Sequence, residues 1–545
     1  MPRPFAQQND LPLPLLKSWR IMETLHPLHR INSGGNIPFR PQFTNMHQYR
    51  PLLTTDLEDP SELELDVLDN GRGRDDGHQL IARGLSILAH QSRKVSSLLI
   101  TVKTRHMLAL LPQFLQPDGL RLTKPLHPTS YLDALRGYAA WVVLNFHLRN
   151  PETWLLQQFP LRVFHRGRAM VDIFFIISGY VLSLKTLRLM RQQNDSALLA
   201  CLASSTFRRY LRLYLSCIAA TLISMALVHL GVIGFWFNQR QDTLFAELSH
   251  WAVNTLLVFA NPFAHITGWW DYGCLSSNYL DVLWTIPVEF RGSIVVFVFC
   301  TACCKLPVRT RIIACWMVIL LCYCWQAVYV ALFMFGVFLA ERQNQALSAH
   351  GTSTRLESHS ILPGVQLLDS DNNEKSPTQQ SQPITSRILY TLILILGLFL
   401  ACQPDDLGGS DDSPFPWRQL HRLIPSWWGD NNNGREQFWL GIGACLIVHS
   451  LDAFPPFQVP FRWGFSQYLG RISFGIYIVH TMIQSGMYER YLAPFRNAYL
   501  GDALWCWALV YPLHVLATLW AADYFTRVDQ LVISFGRWLE NKTFV

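Results

Sequence analysis

The segment YLDALRGYAAWVVLNFH (residues 131–147) is apolar enough for a membrane helix, yet it contains Asp133, Arg136 and His147. Charged and titratable groups inside a membrane are costly and usually functional. In a helix, Arg136 and His147 are separated by about three turns, which places both on one face about 16 Å apart, with Asp133 on the same face. The segment is therefore predicted to hold one end of a long substrate at Arg136 and its reactive end at His147. A helix with an interfacial arginine and a hydrogen-bonded core histidine would show the same pattern, so this alternative stays open.

The whole chain is too apolar for a soluble protein of its size. Of its 545 residues, 50% are hydrophobic, 15% are charged and 19 are tryptophan. These proportions predict an all-α integral membrane protein, a bundle of about ten transmembrane helices, because each span needs about 20 predominantly apolar residues. The segment 249–263 is apolar but short, so it is interpreted as a re-entrant or interfacial eleventh segment. The ten candidate spans are residues 131–148, 169–189, 211–236, 281–304, 311–325, 326–341, 386–402, 436–451, 467–486 and 504–525.

The distribution of lysine and arginine predicts that both termini of this multi-pass protein are cytosolic. The chain does not open with a basic region followed by an apolar one, so the first span is expected to act as the insertion signal. Positive residues concentrate on the cytosolic side of membrane proteins, and here they cluster before the first span and between the second and third. The same orientation places Arg149, Arg162, Arg166 and Arg168 on the far side, against the rule. No signal in the sequence specifies which membrane.

Polarity separates a transmembrane domain from the regions outside the membrane. Residues 1–82 are polar, proline-containing and acidic in part, and are expected to form a disordered cytosolic extension. Residues 83–125 have the basic amphipathic spacing that is typical of a segment on the membrane surface. The transmembrane domain is expected over residues 126–530, with a flexible cytosolic loop at 342–385, a far-side loop at 403–434, and a C-terminal tail at 531–545.

Charge and cysteine usage argue against nucleic-acid and metal binding. The net charge is +7, and the basic residues lie beside membrane spans, which favours contact with the lipid bilayer and not with nucleic acid. Six of the 12 cysteines lie in apolar spans without a nearby histidine, and Cys300-x-x-Cys303 has no second pair. The sequence therefore predicts no metal site and no bound cofactor.

A carboxylate opens the second span. The segment VDIFFIISGYVLS (residues 171–183) is apolar except for Asp172 near its start, and Ser178-Gly179 near its centre allows close approach of another backbone. Asp172 is a candidate acid-base residue because a buried carboxylate needs a function or a partner. Helix capping or an interfacial position is the structural alternative.

An arginine cluster precedes the apolar part of the third span. The segment FRRYLRLY (residues 207–214) places Arg208, Arg209 and Arg212 within about one helical turn. Guanidinium groups bind phosphate bidentately, so the cluster is a candidate site for a phosphate-bearing cosubstrate. Anchoring of the span by charge would also explain it.

Two further titratable residues lie in later spans. The motif LWTIPVEFRG (residues 283–292) places Glu289 in an apolar span. Arg291 follows too closely to face it on a regular helix, so we expect Glu289 to pair with another helix or to line a wet cavity. His480 ends the apolar motif ISFGIYIVH, and a hydrogen-bonded core histidine is its simplest interpretation.

In the predicted orientation, these polar residues form two clusters. Arg136 and the three arginines of the third span lie near the cytosol. The acid-base residues His147, Asp172, Glu289 and His480 are expected in the far halves of their spans. Phosphate capture on the cytosolic side, with proton transfer deeper in the membrane, is what transfer from a cytosolic coenzyme A thioester requires.

Five motifs, in this order over roughly residues 130–525, resemble the acyltransferase 3 family of integral-membrane acyltransferases, particularly its fungal members. They are LDALRGYAAWVVLNFH, FFIISGYVLS, RRYLRLY, LWTIPVEFRG and SFGIYIVH. The resemblance implies about ten transmembrane helices, acyl-CoA as the donor, and transfer of an acetyl or similar short acyl group to a hydroxyl of a carbohydrate or small metabolite. It also implies that Arg136 and His147 are needed for activity. Leu215 departs from the proline that often follows the arginine cluster in related sequences.

The resulting hypothesis is a membrane-embedded O-acyltransferase that uses acyl-CoA as a cosubstrate and no cofactor. Arg136 helps the arginine cluster, Arg208, Arg209 and Arg212, to hold the phosphates of acyl-CoA. His147 acts as general base on the hydroxyl of a small acceptor, a role that suits a neutral imidazole near its ordinary pKa.

The roles of the other polar residues follow from this hypothesis. Asp172 or Glu289 would orient the ring of His147 or stabilise its protonated form. An acyl-histidine intermediate is chemically allowed as well, and the sequence does not separate the two routes. The candidate supporting residues are Asp133, Ser178, Tyr180 and His480.

A secondary transporter is the alternative from another functional class. Asp133, Arg136, His147 and Glu289 would then form an intramembrane relay for protons or substrate. The absence of a repeat between the two halves of the sequence weighs against this alternative. An HX4D-type acyltransferase is disfavoured as well, because Glu152 stands where the pattern after His147 requires aspartate.

Overall fold

The fold is helical throughout the part of the chain that the structure describes. This structure, a computed structural model, describes residues 111–116, 119–122, 125–148, 154–234, 240–262, 277–359, 383–404, 415–428, 432–501 and 503–544. Within these ranges there is no β-strand, only an isolated bridge between Ser277 and Leu280. The predictions for residues 1–82, for most of the segment 83–125 and for Glu152 fall outside the described residues.

Twelve α-helices of six or more residues are present in the described part of the chain. They are α1 (Ser130–His147), α2 (Gly167–Arg191), α3 (Asp195–His229), α4 (Leu244–Ala252), α5 (Thr285–Ala302), α6 (Val308–Cys324), α7 (Val328–His359), α8 (Ile384–Ala401), α9 (Trp417–Arg422), α10 (Asn432–Ala453), α11 (Gly464–Ile483) and α12 (Leu504–Thr543). Wider π-helical turns extend α4 through Val253–Phe259 and follow α11 at Gln484–Leu492 and Arg496–Leu500, on either side of the short helix Ala493–Phe495.

Each of the ten candidate spans overlaps one of these helices, although the span 211–236 continues past the end of α3 at His229. Within the described residues, five helices are long and apolar enough to cross a membrane, or six if the bent pair Gly434–Ala453 and Pro455–Arg462 is one span. Polar residues of α1 and α11 face a shared cavity, which lowers the mean hydropathy of these two helices. The count of ten membrane crossings therefore stays a prediction. The five helices are Gly167–Arg191, Asp195–His229, Asp281–Ala302, Ile384–Ala401 and Trp505–Thr543.

The continuous apolar run at 311–341 divides into two helices, α6 and α7. The break lies at Trp325–Ala327, where Gln326 adopts a left-handed conformation with φ of 60°. The backbone N–H of Ala327 donates to the carbonyl of Cys322 at 2.7 Å and closes the turn. This geometry agrees with the predicted division of the run between residues 325 and 326, which hydrophobic periodicity alone does not specify.

Glycines allow the tightest helix contacts of the bundle. A Cβ added at Gly179 of α2 would lie 2.0 Å from the carbonyl oxygen of Phe333, and one at Gly336 of α7 would lie 2.1 Å from that of Ile176. The structure thus confirms the close backbone approach predicted at Gly179. Helices α1 and α11 approach in the same way, since a Cβ at Gly470 would lie 2.5 Å from the carbonyl oxygen of Asp133. Small residues at such crossings let the backbones of the two helices come into direct contact, because no side chain keeps them apart.

A buried carboxylate joins three helices. Glu341 of α7 accepts from Arg191 of α2 at 2.5 Å and from Arg311 of α6 at 2.9 Å. The side chains of Glu341 and Arg311 are 3% and 4% exposed, respectively. Because each buried charge has a close counter-charge, the group fixes the relative positions of α2, α6 and α7.

The predicted loop at 342–385 is helical over its first part. Helix α7 continues to His359, and Asn344 donates to the carbonyl of Leu184 on α2 at 3.1 Å. Contacts of this kind, together with Glu341, let the helix extend past its apolar section. Residues 360–382 are outside the described part of the chain.

The predicted C-terminal tail is also helical, since α12 continues to Thr543. Glu540 forms an ion pair of 2.9 Å with Arg208 of α3, and the ring of Phe544 lies 5.1 Å from that of Phe207. Residues 531–543 are therefore part of the helical bundle. The contact also shows that the end of α12 and the start of the arginine cluster lie on the same side of the bundle.

Candidate active site

A cavity of about 480 Å³ lies between α1, α2, α3, α5, α11 and α12. Its volume falls in the range of roughly 300–1,000 Å³ that is typical of small-molecule sites. Its lining includes six of the predicted site residues, namely Asp133, Arg136, Ser178, Arg209, Arg212 and Glu289. It also includes Arg471 and Asp529, two charged residues that were not predicted.

Arg136 faces the cavity from the first turns of α1. Its Nη1 lies 3.8 Å from Oδ1 of Asp133, one turn earlier on the same helix. The side chain of Asp133 is 60% exposed and that of Arg136 is 32% exposed. Such a long and solvated ion pair is weak, so Arg136 keeps most of its capacity to bind an anion.

Glu289 is paired with an arginine of α3. Its Oε1 lies 2.5 Å from Nη2 of Arg209, whose Nε donates to Oγ of Ser293 at 2.7 Å. The structure thus confirms the prediction that Glu289 has a partner on another helix. The pairing also corrects the assignment of Glu289 to the cluster around His147, because packing of α3 against α5 brings Glu289 to the arginines instead.

Arg212 is the arginine of the cluster whose side chain has no partner among the described residues. It is exposed towards the cavity and makes no hydrogen bond or ion pair with any residue in the described part of the chain. Arg136, Arg209, Glu289 and Asp529 are its electrostatic neighbours. Asp529 in turn accepts a hydrogen bond of 2.7 Å from Ser216, one turn further along α3.

Arg208 belongs to a different surface from Arg209 and Arg212. Its Nη2 donates to Oγ of Ser204 at 2.8 Å, and its Nε lies 2.9 Å from Glu540. It does not line the cavity. The sequence grouped the three arginines together, but the helical position of Arg208 turns it towards the end of α12.

The ring of His147, at the end of α1, lies beside His480 of α11, with 5.1 Å between the ring centroids. Nδ1 of His480 is 3.1 Å from the carbonyl oxygen of Ile476, which accepts only, so Nδ1 carries the proton of the neutral ring. Nε2 of His480 is then a free acceptor; it is buried and has no hydrogen-bond partner among the described residues. The structure therefore brings together the two histidines that the sequence identified separately.

Tyr477 connects the histidine pair to the cavity. Its side chain lines the cavity, and its ring centroid is 6.1 Å from that of His480. Its hydroxyl contacts Oγ1 of Thr285 at 2.6 Å and donates to the carbonyl of Val282. His147 and His480 themselves do not line the cavity. They lie next to its wall, because α11 contributes both Tyr477 and His480.

Asp281 is the carboxylate that faces His147. It starts the short 3-10 turn Asp281–Trp284 before α5 and interacts electrostatically with His147. Its Oδ1 is buried and has no hydrogen-bond partner among the described residues. Sequence reasoning missed it, although it stands at the first position of the candidate span 281–304. The signal in the sequence was an acidic residue just before the apolar motif LWTIPVEFRG.

Asp172 lies apart from this region. Its carboxylate is fully buried, accepts a hydrogen bond from Gln437 of α10, and has Glu436 and Arg168 as electrostatic neighbours. It neither lines the cavity nor contacts His147 among the described interactions. The expectation that it orients His147 is therefore corrected, because α2 directs Asp172 towards α10.

The remaining supporting candidates divide between two places. Ser178 lines the cavity. Tyr180 is 1% exposed and has Asp452 and Arg188 as electrostatic neighbours, so it faces away from the cavity. Within the described residues, no group of three or more His, Cys, Asp or Glu side chains is arranged to hold a metal ion.

The acyltransferase domain model named Acyl_transf_3 matches residues 129–527. This chain belongs to that acyltransferase family. The match includes the whole cavity lining except Asp529, Gln530 and Ile533 of α12. It supports an acyltransferase embedded in a membrane by several apolar helices.

Fungal relatives agree with this family. The chain is 29% identical over 469 residues to the O-acetyltransferase PaAT-1 of Phomopsis amygdali, covering 79% of this chain and 88% of the relative. It is 23% identical over 415 residues to acyltransferase R4 of a Phoma species, covering 66% and 83%. It is 24% identical over 421 residues to acyltransferase clz18 of Cochliobolus lunatus, covering 66% and 82%. No solved structure matches the chain.

Proposed function

We propose that this acyltransferase transfers an acetyl or other short acyl group from acyl-CoA to a hydroxyl of a carbohydrate or small metabolite. One observation carries the proposal: a cavity with two weakly engaged guanidinium groups, Arg136 and Arg212, has in its wall Tyr477, whose ring centroid lies 6.1 Å from that of His480, the neighbour of His147. The printed activity of the relative PaAT-1, an O-acetyltransferase, supports an acetyl group and an oxygen acceptor.

The arginine end binds the phosphates of acyl-CoA. Arg212 and the weakly paired Arg136 supply the guanidinium groups, and Arg209 is held beside them by Glu289. Arginine is suited to this task because its planar donors match phosphate oxygens bidentately. Glu289 then acts as a positioning residue for Arg209. We place this end of the cavity on the cytosolic side, where acyl-CoA is available.

The histidine end performs the transfer. His147 takes the proton of the acceptor hydroxyl, and the acceptor oxygen forms a bond to the thioester carbonyl carbon. The carbon–sulfur bond then breaks, and the coenzyme A thiolate leaves and takes the proton from the imidazolium of His147. Imidazole is the side chain suited to both proton transfers, because its unperturbed pKa lies close to neutral pH. A two-step route is chemically allowed as well: His147 is acylated first, with loss of the coenzyme A thiolate, and the acceptor oxygen then takes the acyl group from it.

His480 and Asp281 position His147 in this scheme. With its own proton on Nδ1, His480 offers Nε2 as an acceptor for an N–H of His147, which leaves the other nitrogen of His147 unprotonated and free to act as the base. The charge of Asp281 stabilises the imidazolium that forms during transfer. These are the roles that a catalytic triad gives to the groups behind its base.

The decisive experiment measures release of free coenzyme A by the purified full-length protein given acetyl-CoA and a panel of hydroxylated acceptors. We expect release that depends on the acceptor and is lost in His147→Ala. Full activity of His147→Ala would overturn the proposal. Binding of acetyl-CoA with no turnover for any acceptor would limit the proposal to donor binding, and no binding at all would favour the transporter alternative.

A second pair of variants tests the positioning role. His480→Gln should lower kcat at least about tenfold and change the pH profile of kcat, because the tautomer of His147 is no longer fixed. His229→Gln, at the far end of α3, should leave both unchanged and serves as the matched control. An unchanged pH profile in a folded, less active His480→Gln protein would indicate a packing role instead.

A further inference from the structure

A second cavity lies on other helices than the active site. It has a volume of about 640 Å³ and is formed by α6, α7, α10 and the turn before α10. Its walls are almost entirely apolar and aromatic, with Trp316, Phe338 and Phe438 among them. No residue of this cavity lines the active-site cavity, and nothing in the proposed reaction uses it.

This cavity is a groove that follows the helix axes. On α10 it is lined from Phe438 to His449, a length of about 16 Å at 1.5 Å per residue. That length is close to half of the ~30 Å hydrocarbon core of a bilayer. Pro425, Trp427 and Trp428 close one end of the groove.

The other end of the groove carries a cation. Arg342 is exposed there, beside His449, and makes no hydrogen bond or ion pair with any residue that the structure describes. Asp452 interacts with Arg342 electrostatically without forming an ion pair among the described residues. Its carboxylate accepts a hydrogen bond of 2.8 Å from the hydroxyl of Tyr131. Arg342 directly follows Glu341, whose charge is already neutralised by Arg191 and Arg311.

We propose that this groove binds an anionic glycerophospholipid of the surrounding membrane, with one acyl chain along the groove and the headgroup phosphate on Arg342. An apolar slot about 16 Å long with an available guanidinium at its polar end is complementary to that ligand in polarity and charge. Arginine binds phosphate oxygens through two parallel hydrogen bonds, and anionic lipids attract basic residues at the membrane surface. The bound lipid would join α6, α7 and α10, which carry the groove.

The test uses native mass spectrometry of the full-length protein in mild detergent, titrated with phosphatidic acid or with phosphatidylcholine of the same chains. We expect preferential binding of phosphatidic acid, and a loss of affinity of about tenfold or more in Arg342→Gln, because the charge-assisted hydrogen bonds to the headgroup phosphate are removed. Arg309→Gln is the matched control. Arg309 is also exposed, and it lies on the same side of the bundle because α6 and α7 form a hairpin.

A second variant tests the apolar part of the groove. Leu446→Trp fills the groove and should weaken binding of both lipids, whereas Leu392→Trp, on the exposed face of α8, should not. Equal losses in Arg342→Gln and Arg309→Gln would show non-specific attraction to charge and overturn the proposal. Unchanged binding in Arg342→Gln would overturn it as well. Because Arg342 is exposed and unpaired, its substitution is expected to leave the fold intact.

Discussion

The guanidinium of Arg209 lies 2.5 Å from the carboxylate of Glu289, although eighty positions separate the two residues in the chain. Their side chains are only 9% and 15% exposed. The pair joins α3 to α5 at the wall of the active-site cavity, and each charge neutralises the other. Arg212 therefore remains the cation of this cluster that is available to a ligand.

We predict that Glu289→Gln lowers the free energy of unfolding by about 1–3 kcal/mol, because it leaves the Arg209 charge with a weaker partner. Thermal unfolding in detergent measures the change. In a double-mutant cycle, Arg209→Met with Glu289→Met should cost less than the sum of the two single substitutions. Additive losses would mean that the two side chains do not stabilise each other.

Arg212→Gln is expected to raise the KM for acyl-CoA about tenfold or more, with a smaller effect on kcat, because it removes charge-assisted hydrogen bonds to phosphate. Steady-state release of coenzyme A measures both constants. The fold should be unaffected, since Arg212 has no partner to lose within the described residues.

Arg208→Gln is the matched control for this prediction. It removes the same charge four positions earlier, from a side chain that pairs with Glu540 outside the cavity. We expect less than about a twofold change in KM, and at most about 1 kcal/mol in stability, because Arg208 is 38% exposed. Equal effects of the two substitutions on KM would contradict the assignment of Arg212 to the phosphate site.

Glu341→Gln should be among the most destabilising single substitutions in the bundle. It leaves Arg191 and Arg311 close together without their shared counter-charge, and breaking a buried ion pair in this way costs about 3–5 kcal/mol. Thermal unfolding and the yield of folded protein report the loss. Asp195→Asn is the control, because the pair of Asp195 with Lys305 is 66% and 67% exposed. A Glu341→Gln protein as stable as the control would show that the cluster contributes little.

The stability of the protein should decrease on acidification, in part because of His421. Burial, and then the charge of Arg435, lower the pKa of His421 below its usual value. The unfolded state therefore binds the proton first as the pH falls below about 6.5, so the stability that neutral His421 contributes is lost from that pH down to its lower folded-state pKa.

Melting temperatures at pH 7.5 and pH 5.5 test this dependence. The difference between the two should be smaller in His421→Gln than in the wild-type protein, because the substitution removes the titrating group. His127→Gln, which replaces an exposed histidine before α1, should keep the wild-type difference. A His421→Gln protein with the wild-type difference would assign the pH dependence to other groups.

The sequence was sufficient to identify the elements and several site residues. Apolar runs located ten of the helices in the described part of the chain, because long buried helices leave a clear pattern of composition, whereas the short helix α9 was not predicted. The spacing of Arg136 and His147 identified two residues on one helix, since helical geometry converts sequence distance directly into position. The presence of a partner for Glu289 also followed from the sequence, because a buried carboxylate cannot stay alone.

The tertiary structure decided which of these residues meet. The sequence carries no information on which neighbour a helix face contacts, so it grouped Arg208 with Arg212, Asp172 with His147, and Glu289 with the histidines. Packing of α3 against α5 joins Glu289 to Arg209, and packing of α2 against α10 joins Asp172 to Gln437. Packing of α1 against α11 brings His480 beside His147. Periodicity determines which side of a helix is buried, whereas the pairing of buried polar groups depends on which helices are neighbours, and this is settled only when the bundle is assembled.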